Sequence, residues 1–457
     1  MKVLVLGFDG ASQSLVARWI DHLPNFKLLK DLNIFGQTIP PIPAQTPVAW
    51  TTFMTGKNPG NHGIFSFAFR QTGTYKRKII DPRMLKSKTL WQILSEAGKR
   101  VGVLNVPMCD CCDIKGFMIP GFMSRSEGIP YPDSVREKIK RKFGIKKFAG
   151  DLEIATLEKA QSDPELFFER VNQMTDCMAE ICLYLFEEEE WDFFMPVFMG
   201  LDRIQHFFWK NIDSTHPKFE ENKLSNLVEN FYVKADRIVG NFLKLADENT
   251  LVIVLSDHGF CSVHREVIIN NYLEEKGFLT TNAGKIDLEK SKAVSYGYGD
   301  IWLNVKQREP QGIIDLAEEY DHVRTQISTE LKKIEIDGEK PIKDVKKREE
   351  LWWGTYLNQA PDLNIIFNIG YQAARQPEIT EKNELKRYVN DSPRWSGGHD
   401  GTHDPLDVLG IIGILGPGIK GGKDLRIHLW DLAPTILNWM NVPIPADMDG
   451  RPIRLKA

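Results

Sequence analysis

The segment KVLVLGFDG, residues 2–10, contains a short apolar run rich in Val and Leu that ends at an acidic residue, Asp9. A continuous apolar run of this length predicts a strand buried on both faces, as in a parallel sheet. Other segments of the same character occur at 100–106, 193–199, 251–255 and 409–415. We therefore predict a mainly parallel sheet in which Lys2–Phe8 is the first strand.

Helical patterns separate these strands and define an α/β fold. Apolar residues recur at helical spacing in 90–97, 165–188, 226–245 and 431–440. Strands that alternate with helices predict right-handed crossovers and a sheet flanked by helices. We expect a single α/β domain over 1–457, with insertions at 107–164 and 265–395 that cap a site, because these stretches are rich in charge and carry few strand signals.

Composition describes a folded protein with no strong charge bias. The chain has 457 residues, of which 42% are hydrophobic and 10% aromatic, and 58 basic residues against 62 acidic ones. This balance argues against a nucleic-acid coat or a polybasic membrane binder, since both need a clustered positive field. The longest apolar runs fall short of the roughly 18 residues that span a bilayer. We expect a protein with no membrane span and a cytoplasmic location.

The cysteines and the N-terminus agree with that expectation. Six cysteines are too few for a disulfide scaffold. The cluster Cys109, Cys111 and Cys112 does not match a paired zinc frame, so reduced thiols are expected. The apolar stretch Val3–Phe8 is too short for a signal-peptide core.

Acidic and histidine residues follow several predicted strands at the point where each strand ends. Ligands bind at this edge of an open α/β sheet, where the carboxyl ends of parallel strands meet. Mixed oxygen and nitrogen ligands favour zinc, manganese or iron. The residues in these positions are Asp9, Asp202, His206, Asp257 and His258, and His403 precedes the last of these strands. Their combined positions predict a site for two divalent metal ions.

Each of these features also has a common structural explanation. An aspartate after a strand often caps a helix, and an Asp/His pair four residues apart often forms a surface hydrogen bond. The pair Asp257–His258 is more specific, because an apolar strand rarely ends in two adjacent ionisable groups. The prediction of a metal site therefore depends on all of the features together.

A second group of polar residues lies in the segment PPIPAQTPVAWTTFMTGKNPGNHGIFSF, residues 40–67. It contains four threonines, Thr46, Thr51, Thr52 and Thr55. Metal coordination lowers the pKa of a hydroxyl and makes it a nucleophile, so one threonine is a candidate for the attacking group. The alternative is that these hydroxyls cap the helix predicted around Trp50–Thr55.

Taken in order, the motifs resemble a known family. GFDG (7–10), TPVAWTTFMTGKNPGNHGI (46–64), DRIQH (202–206), SDHG (256–259) and GTH (401–403) resemble the alkaline phosphatase superfamily. The pattern is most similar to its type I phosphodiesterase/nucleotide pyrophosphatase branch, and especially to predicted intracellular phosphohydrolase or phosphomutase members. The resemblance implies an alkaline-phosphatase-like α/β fold.

The resemblance also implies roles for individual residues. Thr46 matches the metal-bound nucleophile of the family. One metal ion would be held by Asp9, Asp257, His258 and the Thr46 oxygen, and the other by Asp202, His206 and His403. His403 is preferred to His399 because G-T-H matches the family pattern better. His62 also matches, but in the family it is structural.

The implied activity is a two-metal phosphohydrolase, which cleaves a phosphodiester or nucleotide pyrophosphate in a small phosphorylated substrate through a phospho-threonine intermediate. One departure bears on the substrate: nucleotide pyrophosphatases carry an asparagine three residues after the nucleophile, whereas this chain has Ala49. Sulfate ester hydrolysis is not expected, because an arginine of the sulfatase motif is missing. The alternatives are a phosphomonoesterase or phosphomutase, a phosphonate hydrolase, and an inactive metal-bearing binding module.

Overall fold

The structure is a computed structural model that describes residues 1–32, 34–71, 73–110, 112–144, 163–375, 388–391, 393–399, 401–420 and 423–455. Cys111 of the cysteine cluster and parts of both predicted insertions lie outside these residues. Within the described part of the chain, none of the helices combines the length and apolar character needed to cross a membrane.

Strands and helices alternate along the first part of the chain, as the sequence predicts. The strands are β1 (Lys2–Phe8), β2 (Ile34–Ile39), β3 (Ala68–Arg70), β4 (Arg77–Ile79), β5 (Val101–Leu104), β6 (Gly116–Ile119), β7 (Phe193–Phe198), β8 (Thr250–Leu255), β9 (Cys261–Val267), β10 (Thr281–Asn282), β11 (Lys285–Ile286), β12 (Ala293–Val294), β13 (Asp300–Leu303), β14 (Ile342–Lys347), β15 (Leu363–Phe367), β16 (Gly370–Ala373), β17 (Val389–Asn390), β18 (Gly397–Gly398), β19 (Gly410–Leu415) and β20 (Lys423–His428). The α-helices are α1 (Gln13–Trp19), α2 (Pro24–Leu32), α3 (Thr46–Thr55), α4 (Pro59–His62), α5 (Leu90–Glu96), α6 (Asp133–Phe143), α7 (Pro164–Glu188), α8 (Gly200–Phe208), α9 (Leu227–Leu245), α10 (Ile269–Glu275), α11 (Tyr320–Leu331), α12 (Arg348–Leu351) and α13 (Leu432–Trp439).

The central sheet confirms the predicted α/β fold with a mainly parallel sheet. Its eight strands have the order β20–β2–β19–β8–β1–β7–β5–β6. All neighbours pair in parallel except β19, which is antiparallel to both β2 and β8. Residues 409–415 thus supply a strand of the sheet, as predicted, but the prediction that this strand is parallel to its neighbours was wrong. An apolar run is equally buried in either strand direction, so the sequence pattern does not indicate the direction.

Hydrophobic cores cover both faces of this sheet. Side chains alternate between the faces of a strand, and in β1 Leu4, Leu6 and Phe8 enter one core while Val3 and Val5 enter the other. All of these side chains are buried. The continuous apolar run of β1 thus serves two cores, which is why it shows no polar alternation.

A third core lies in the part of the chain that follows β8. Its buried residues fall between Val267 and Ala373, and they pack around the four-stranded sheet β12–β13–β15–β14. The first predicted insertion instead contributes β6 to the edge of the central sheet. The division of the chain into one domain with two cap segments stays a prediction.

We expect substitution of Phe194 by alanine to destabilise the fold strongly. Phe194 is fully buried in β7, and its ring lies 5.2–6.3 Å from the rings of four other aromatic residues. Removing such a ring costs about 3–5 kcal/mol, which a urea titration of the free energy of unfolding would detect. Ile79→Ala is the control: Ile79 is 75% exposed, so a change below about 0.5 kcal/mol is expected. Equal effects of the two substitutions would contradict this account of the core.

Candidate functional site

Three neighbouring parallel strands bring the predicted acidic residues to one edge of the central sheet. β1 lies between β7 and β8. Asp9 directly follows β1, and Asp257 lies two residues after the end of β8. Asp202 lies in the first turn of α8, which begins two residues after β7 ends. All three carboxylates are buried. Residues up to about 250 positions apart thus meet, because parallel strands end at the same edge.

Asp9, Asp257 and His258 form one half of the site. His258 Nε2 lies 3.7 Å from Asp9 Oδ1 and 3.2 Å from Asp257 Oδ2. The other carboxylate oxygens are engaged: Asp9 Oδ2 accepts from Trp50 Nε1 at 2.7 Å, and Asp257 Oδ1 accepts from Gly10 N at 3.2 Å. In contrast, Asp9 Oδ1, Asp257 Oδ2 and His258 Nε2 have no hydrogen-bond partner among the described residues. Buried polar atoms rarely stay unpaired, and these three are the donor set that a divalent cation prefers.

Asp202, His206 and His399 form the other half. His399 Nε2 lies 3.1 Å from Asp202 Oδ1, and His206 Nε2 lies 3.4 Å from the same oxygen. Ligand atoms of these three residues lie within 4.8 Å of one another, and the same holds for Asp9, Asp202 and His258. The two groups share Asp202, so the two halves adjoin.

The three imidazoles are oriented in the same way. In each ring Nδ1 lies near a backbone carbonyl oxygen, at 2.9 Å for His206, 3.1 Å for His258 and 2.6 Å for His399. If Nδ1 carries the proton, it donates to that carbonyl and Nε2 keeps a lone pair that faces the carboxylates. Such outer hydrogen bonds fix the tautomer and the ring orientation of histidine ligands.

Gly10 makes the close packing of the two halves possible. Its φ of 71° is in the left-handed region, which glycine adopts at little cost. A Cβ at this position would lie 2.7 Å from the Phe260 ring and 3.1 Å from the Asp202 Cα. The Gly10 carbonyl also accepts from Gln205 Nε2 at 2.8 Å. The residue after Asp9 therefore contacts the helix that carries Asp202.

Thr46 begins helix α3, which runs beside the site. All ten residues of this helix are buried, and it ends at Gly56 in a left-handed conformation. Residues four apart share a helix face, so Thr46 lies on the same face as Trp50, which binds Asp9. Two residues before Thr46, the carbonyl oxygen of Ala44 accepts a hydrogen bond from His399 Nδ1. The segment that carries Thr46 is thus bonded to both halves of the site.

The other threonines of α3 have helix-internal roles where the structure defines their partners. The Thr52 and Thr55 hydroxyls donate to the carbonyls four residues earlier, at 2.8 and 2.7 Å. These bonds satisfy hydroxyls within an entirely buried helix. The buried Thr51 hydroxyl has no hydrogen-bond partner among the described residues, so Thr46 is distinguished by its position at the start of the helix, two residues after Ala44, which contacts His399.

Burial and mutual repulsion shift the pKa values of the carboxyl groups. Burial, followed by the charges of Asp257 and Asp202, raises the pKa of Asp9 well above its usual range. Burial also raises the pKa of Asp257 to about 8. Burial opposes ionisation of Asp202 too. In the metal-free protein, however, the charge of a protonated His206, hydrogen bonds donated by Nε2 of His206 and His399, and the charge of Arg203 hold the pKa of Asp202 well below the usual value. Three carboxylates in one dry site need positive charge.

The structure brings His399, rather than His403, to Asp202 and His206. The His403 ring is also buried, but its Nε2 lies 3.0 Å from the carbonyl oxygen of Tyr371, in the part of the chain that contributes to the third core. Sequence reasoning weighed both histidines. A sequence signal for this position is the Gly397–Gly398 pair before His399. A Cβ on Gly397 would approach Gln205 O to 2.7 Å, so glycine lets this segment pack closely against the helix that carries Asp202 and His206.

Other residues singled out in the sequence have defined partners. His62 contacts Thr52 Oγ1 through Nε2 at 3.1 Å and accepts from Ile64 N through Nδ1 at 3.2 Å. Burial lowers the pKa of His62 to about 3, so a neutral structural role fits. Trp50, which sequence reasoning missed as a site residue, is four residues after Thr46, and that spacing is the signal that would have found it.

A family model described as type I phosphodiesterase / nucleotide pyrophosphatase matches residues 3–402. Among curated proteins, alkaline phosphatase PafA of Elizabethkingia meningoseptica is 25% identical over 281 residues, which is 56% of this chain and 46% of that protein. A calcium-transporting ATPase of Myroides odoratus is 25% identical over 242 residues, which is 50% of this chain and 41% of that protein. The aligned segments therefore span less than half of each curated relative.

Solved structures of ectonucleotide pyrophosphatase/phosphodiesterase 5 share the fold. The murine protein superposes with a TM-score of 0.57 and 17% identity, covering 97% of this chain and 96% of that one. The human protein gives a TM-score of 0.56 and 16% identity over the same shares. A further murine structure, with a TM-score of 0.57, 17% identity and the same coverage, is of an inactive threonine-to-alanine variant in complex with AMP.

We expect zinc affinity to rise between pH 6 and pH 8. In the folded, metal-stripped protein, Asp9 and Asp257 keep their protons because their pKa values are raised. In the unfolded chain the same two groups release their protons above about pH 4. The stripped protein thus loses stability from about pH 4 through the Asp257 pKa of about 8. A cation must displace these protons, so affinity should rise about tenfold per pH unit for each proton released.

Calorimetric titration of zinc in buffers of different ionisation enthalpy would measure both the affinity and the protons released. Asp300→Asn is the control, because Asp300 is a carboxyl group with a burial-raised pKa that lies outside the cluster. This variant should keep the wild-type pH dependence. A zinc affinity that stays constant over this pH range would show that the raised pKa values do not govern cation binding.

Proposed function

Because the chain belongs to the type I phosphodiesterase / nucleotide pyrophosphatase family, we propose that it hydrolyses phosphate esters at the cluster beyond β1, β7 and β8. The observation that carries this proposal is the convergence of three buried carboxylates and three imidazoles beside the helix that begins at Thr46. A site of this composition suits the binding of two cations and, with them, of a phosphoryl group.

We assign the six side chains to two cations. Asp9, Asp257 and His258 would hold one, and Asp202, His206 and His399 would hold the other. The unpaired atoms Asp9 Oδ1, Asp257 Oδ2 and His258 Nε2 support the first group. Zinc fits the mixture of nitrogen and oxygen donors best, with manganese or iron as alternatives. When bound, the cations would neutralise charge on the phosphate and lower the pKa of the attacking hydroxyl.

In this proposal Thr46 is the nucleophile. Its Oγ1 forms a bond to phosphorus, the bond from phosphorus to the leaving oxygen breaks, and a phospho-threonine results. Water then attacks the same phosphorus and releases Thr46. Two in-line displacements invert the configuration twice, so net retention at phosphorus is expected. The inactive threonine-to-alanine variant of the murine protein supports a threonine in this role.

Two observations bear on the substrate in opposite directions. The murine structural relative was solved with AMP, which favours a nucleotide phosphodiester or pyrophosphate. The buried Ala49, in place of the asparagine of nucleotide pyrophosphatases, and the alignment with an alkaline phosphatase favour a phosphomonoester. We propose the diester as the first candidate and the monoester as the second. A cytoplasmic location stays a prediction.

We expect Thr46→Ala to abolish turnover. Assays with p-nitrophenyl phosphate, bis-p-nitrophenyl phosphate and a nucleotide p-nitrophenyl ester would identify the preferred ester class. Loss of the nucleophile should reduce kcat by at least about a thousandfold. Thr55→Ala is the matched control in the same helix, since the Thr55 hydroxyl donates to Thr51 O. Full activity of the Thr46 variant would eliminate the phospho-threonine route. Bound metal without turnover of any of these esters would favour a phosphomutase, a phosphonate hydrolase or a binding module.

The assignment of His399 as a ligand can be tested against His403. We expect His399→Asn to lower the zinc content of the purified protein by about one equivalent, with loss of turnover, because its Nε2 faces Asp202. His403→Asn should keep both equivalents, since the ring contacts Tyr371 O. Metal analysis by mass spectrometry and melting temperatures of both variants provide the measurement. The reverse pattern would identify His403 as the ligand.

A further inference from the structure

A pocket lies next to the proposed catalytic centre, between the hairpin β3–β4 and the sheet of the third core. Gln45, Arg70, Arg77, Tyr298, Trp302 and Asn364 are among its lining residues. Gln45 directly precedes Thr46, and Thr402, which also lines the pocket, lies three residues after His399. A group attached to a phosphate at the proposed centre would therefore be adjacent to this pocket.

Two buried donor atoms in the pocket wall lack a hydrogen-bond partner in the part of the chain that the structure describes. Arg70 has a side chain only 6% exposed, and Asn364 is 3% exposed. Arg70 Nη1 and Asn364 Nδ2 have no hydrogen-bond partner among the described residues. An unpaired buried donor is costly, and each one calls for an explanation such as a bound water, ion or ligand. Both atoms require an acceptor.

The guanidinium of Arg70 is held in place on its other sides. Its Nη2 donates to Glu309, and its Cζ lies 4.5 Å from the centre of the Trp302 ring. Glu309 is itself fixed by Arg308 Nε at 2.7 Å and by Val305 N at 2.8 Å. Arg70 is therefore a pre-oriented donor that needs little rearrangement to bind an acceptor.

Charge in the pocket wall favours an anionic acceptor. The charged lining residues are Arg70, Arg77 and Asp300, and Glu309 behind the wall pairs with Arg70 Nη2, so Nη1 remains as a donor on a cationic group. Both oxygens of Asp300 accept hydrogen bonds, from Tyr296 N at 2.8 Å and from Trp302 Nε1 at 3.0 Å. Among the groups that accept from an arginine, carboxylate and phosphate oxygens form the strongest hydrogen bonds.

We propose that this pocket binds a second acidic group, a carboxylate or a phosphate, on the organic part of the substrate. The chain would then select phosphate esters that carry two acidic groups. Arg70 supplies the charged hydrogen bond, and Asn364 supplies the neutral one. This inference rests on the proposed function, because it treats the pocket as a subsite of that centre.

Calorimetric binding to the zinc-loaded full chain tests the proposal without turnover. The ligands are 4-carboxyphenylphosphonate, 1,4-phenylenediphosphonate and the neutral isostere 4-carbamoylphenylphosphonate. We expect the carboxylate or the diphosphonate to bind at least about tenfold more tightly than the amide, as for a hydrogen bond between charged groups. Which of the two binds more tightly identifies the acidic group. Equal affinity of all three for the wild-type protein overturns the proposal.

Substitutions locate the effect. Arg70→Gln should reduce the preference for the acidic ligands to less than about threefold, whereas Arg83→Gln should leave it unchanged, because Arg83 is 64% exposed and paired with Asp81. If Arg70→Gln fails to fold, Asn364→Asp adds a negative charge at nearly constant volume and should invert the preference. Unchanged preference in Asn364→Asp overturns the proposal. Failure of the proposed function is a separate result, seen as absent turnover of the p-nitrophenyl esters by a protein that still binds these ligands.

Discussion

Repulsion among three buried carboxylates is the constraint around which this site is built. Asp9, Asp202 and Asp257 have no access to solvent that would screen their charges. The surroundings compensate in part, through Arg203, whose Nη1 lies 3.0 Å from Asp202 Oδ2, and through single donors such as Trp50 Nε1 and Gly10 N. The remaining oxygens face imidazole nitrogens, and burial, together with the neighbouring carboxylates, raises the pKa values of Asp9 and Asp257. Structure and electrostatics thus point to cations at one location.

Backbone groups orient the imidazoles of the site, while the side chains of Arg203 and Trp50 bind two of the carboxylates. Carbonyl oxygens of Ala44, Gly259 and Gly397 orient the three imidazoles. Glycine at position 10 lets the β1 loop approach α8. Backbone carbonyl groups do not change protonation state near neutral pH, so the orientation of the three imidazoles by these groups is independent of pH in that range. This arrangement is the outer shell that metal sites usually need.

The third core links the site to residues that follow the metal-binding strands. Arg70 and Arg77 of the hairpin β3–β4 reach Trp302, Tyr296 and Glu309, which belong to that part of the chain. The pocket is formed at this junction, and Gln45, which precedes Thr46, is one of its lining residues. In the function that we propose, substrate selection and chemistry belong to different parts of the fold, since the proposed ligands lie at the edge of the central sheet and the second sheet contributes to the pocket wall.

Local patterns in the sequence were sufficient to predict the α/β fold and strands such as Lys2–Phe8, because apolar periodicity depends on near neighbours in the chain. They also predicted that Asp9, Asp202 and Asp257 converge, because parallel strands end at the same edge of a sheet. The antiparallel direction of β19 and the position of His399 beside Asp202 and His206 are visible only in the tertiary structure. His399 meets Ala44 across 355 residues, and no local pattern encodes such a contact. The pocket, likewise, exists only where the hairpin packs against the distant sheet.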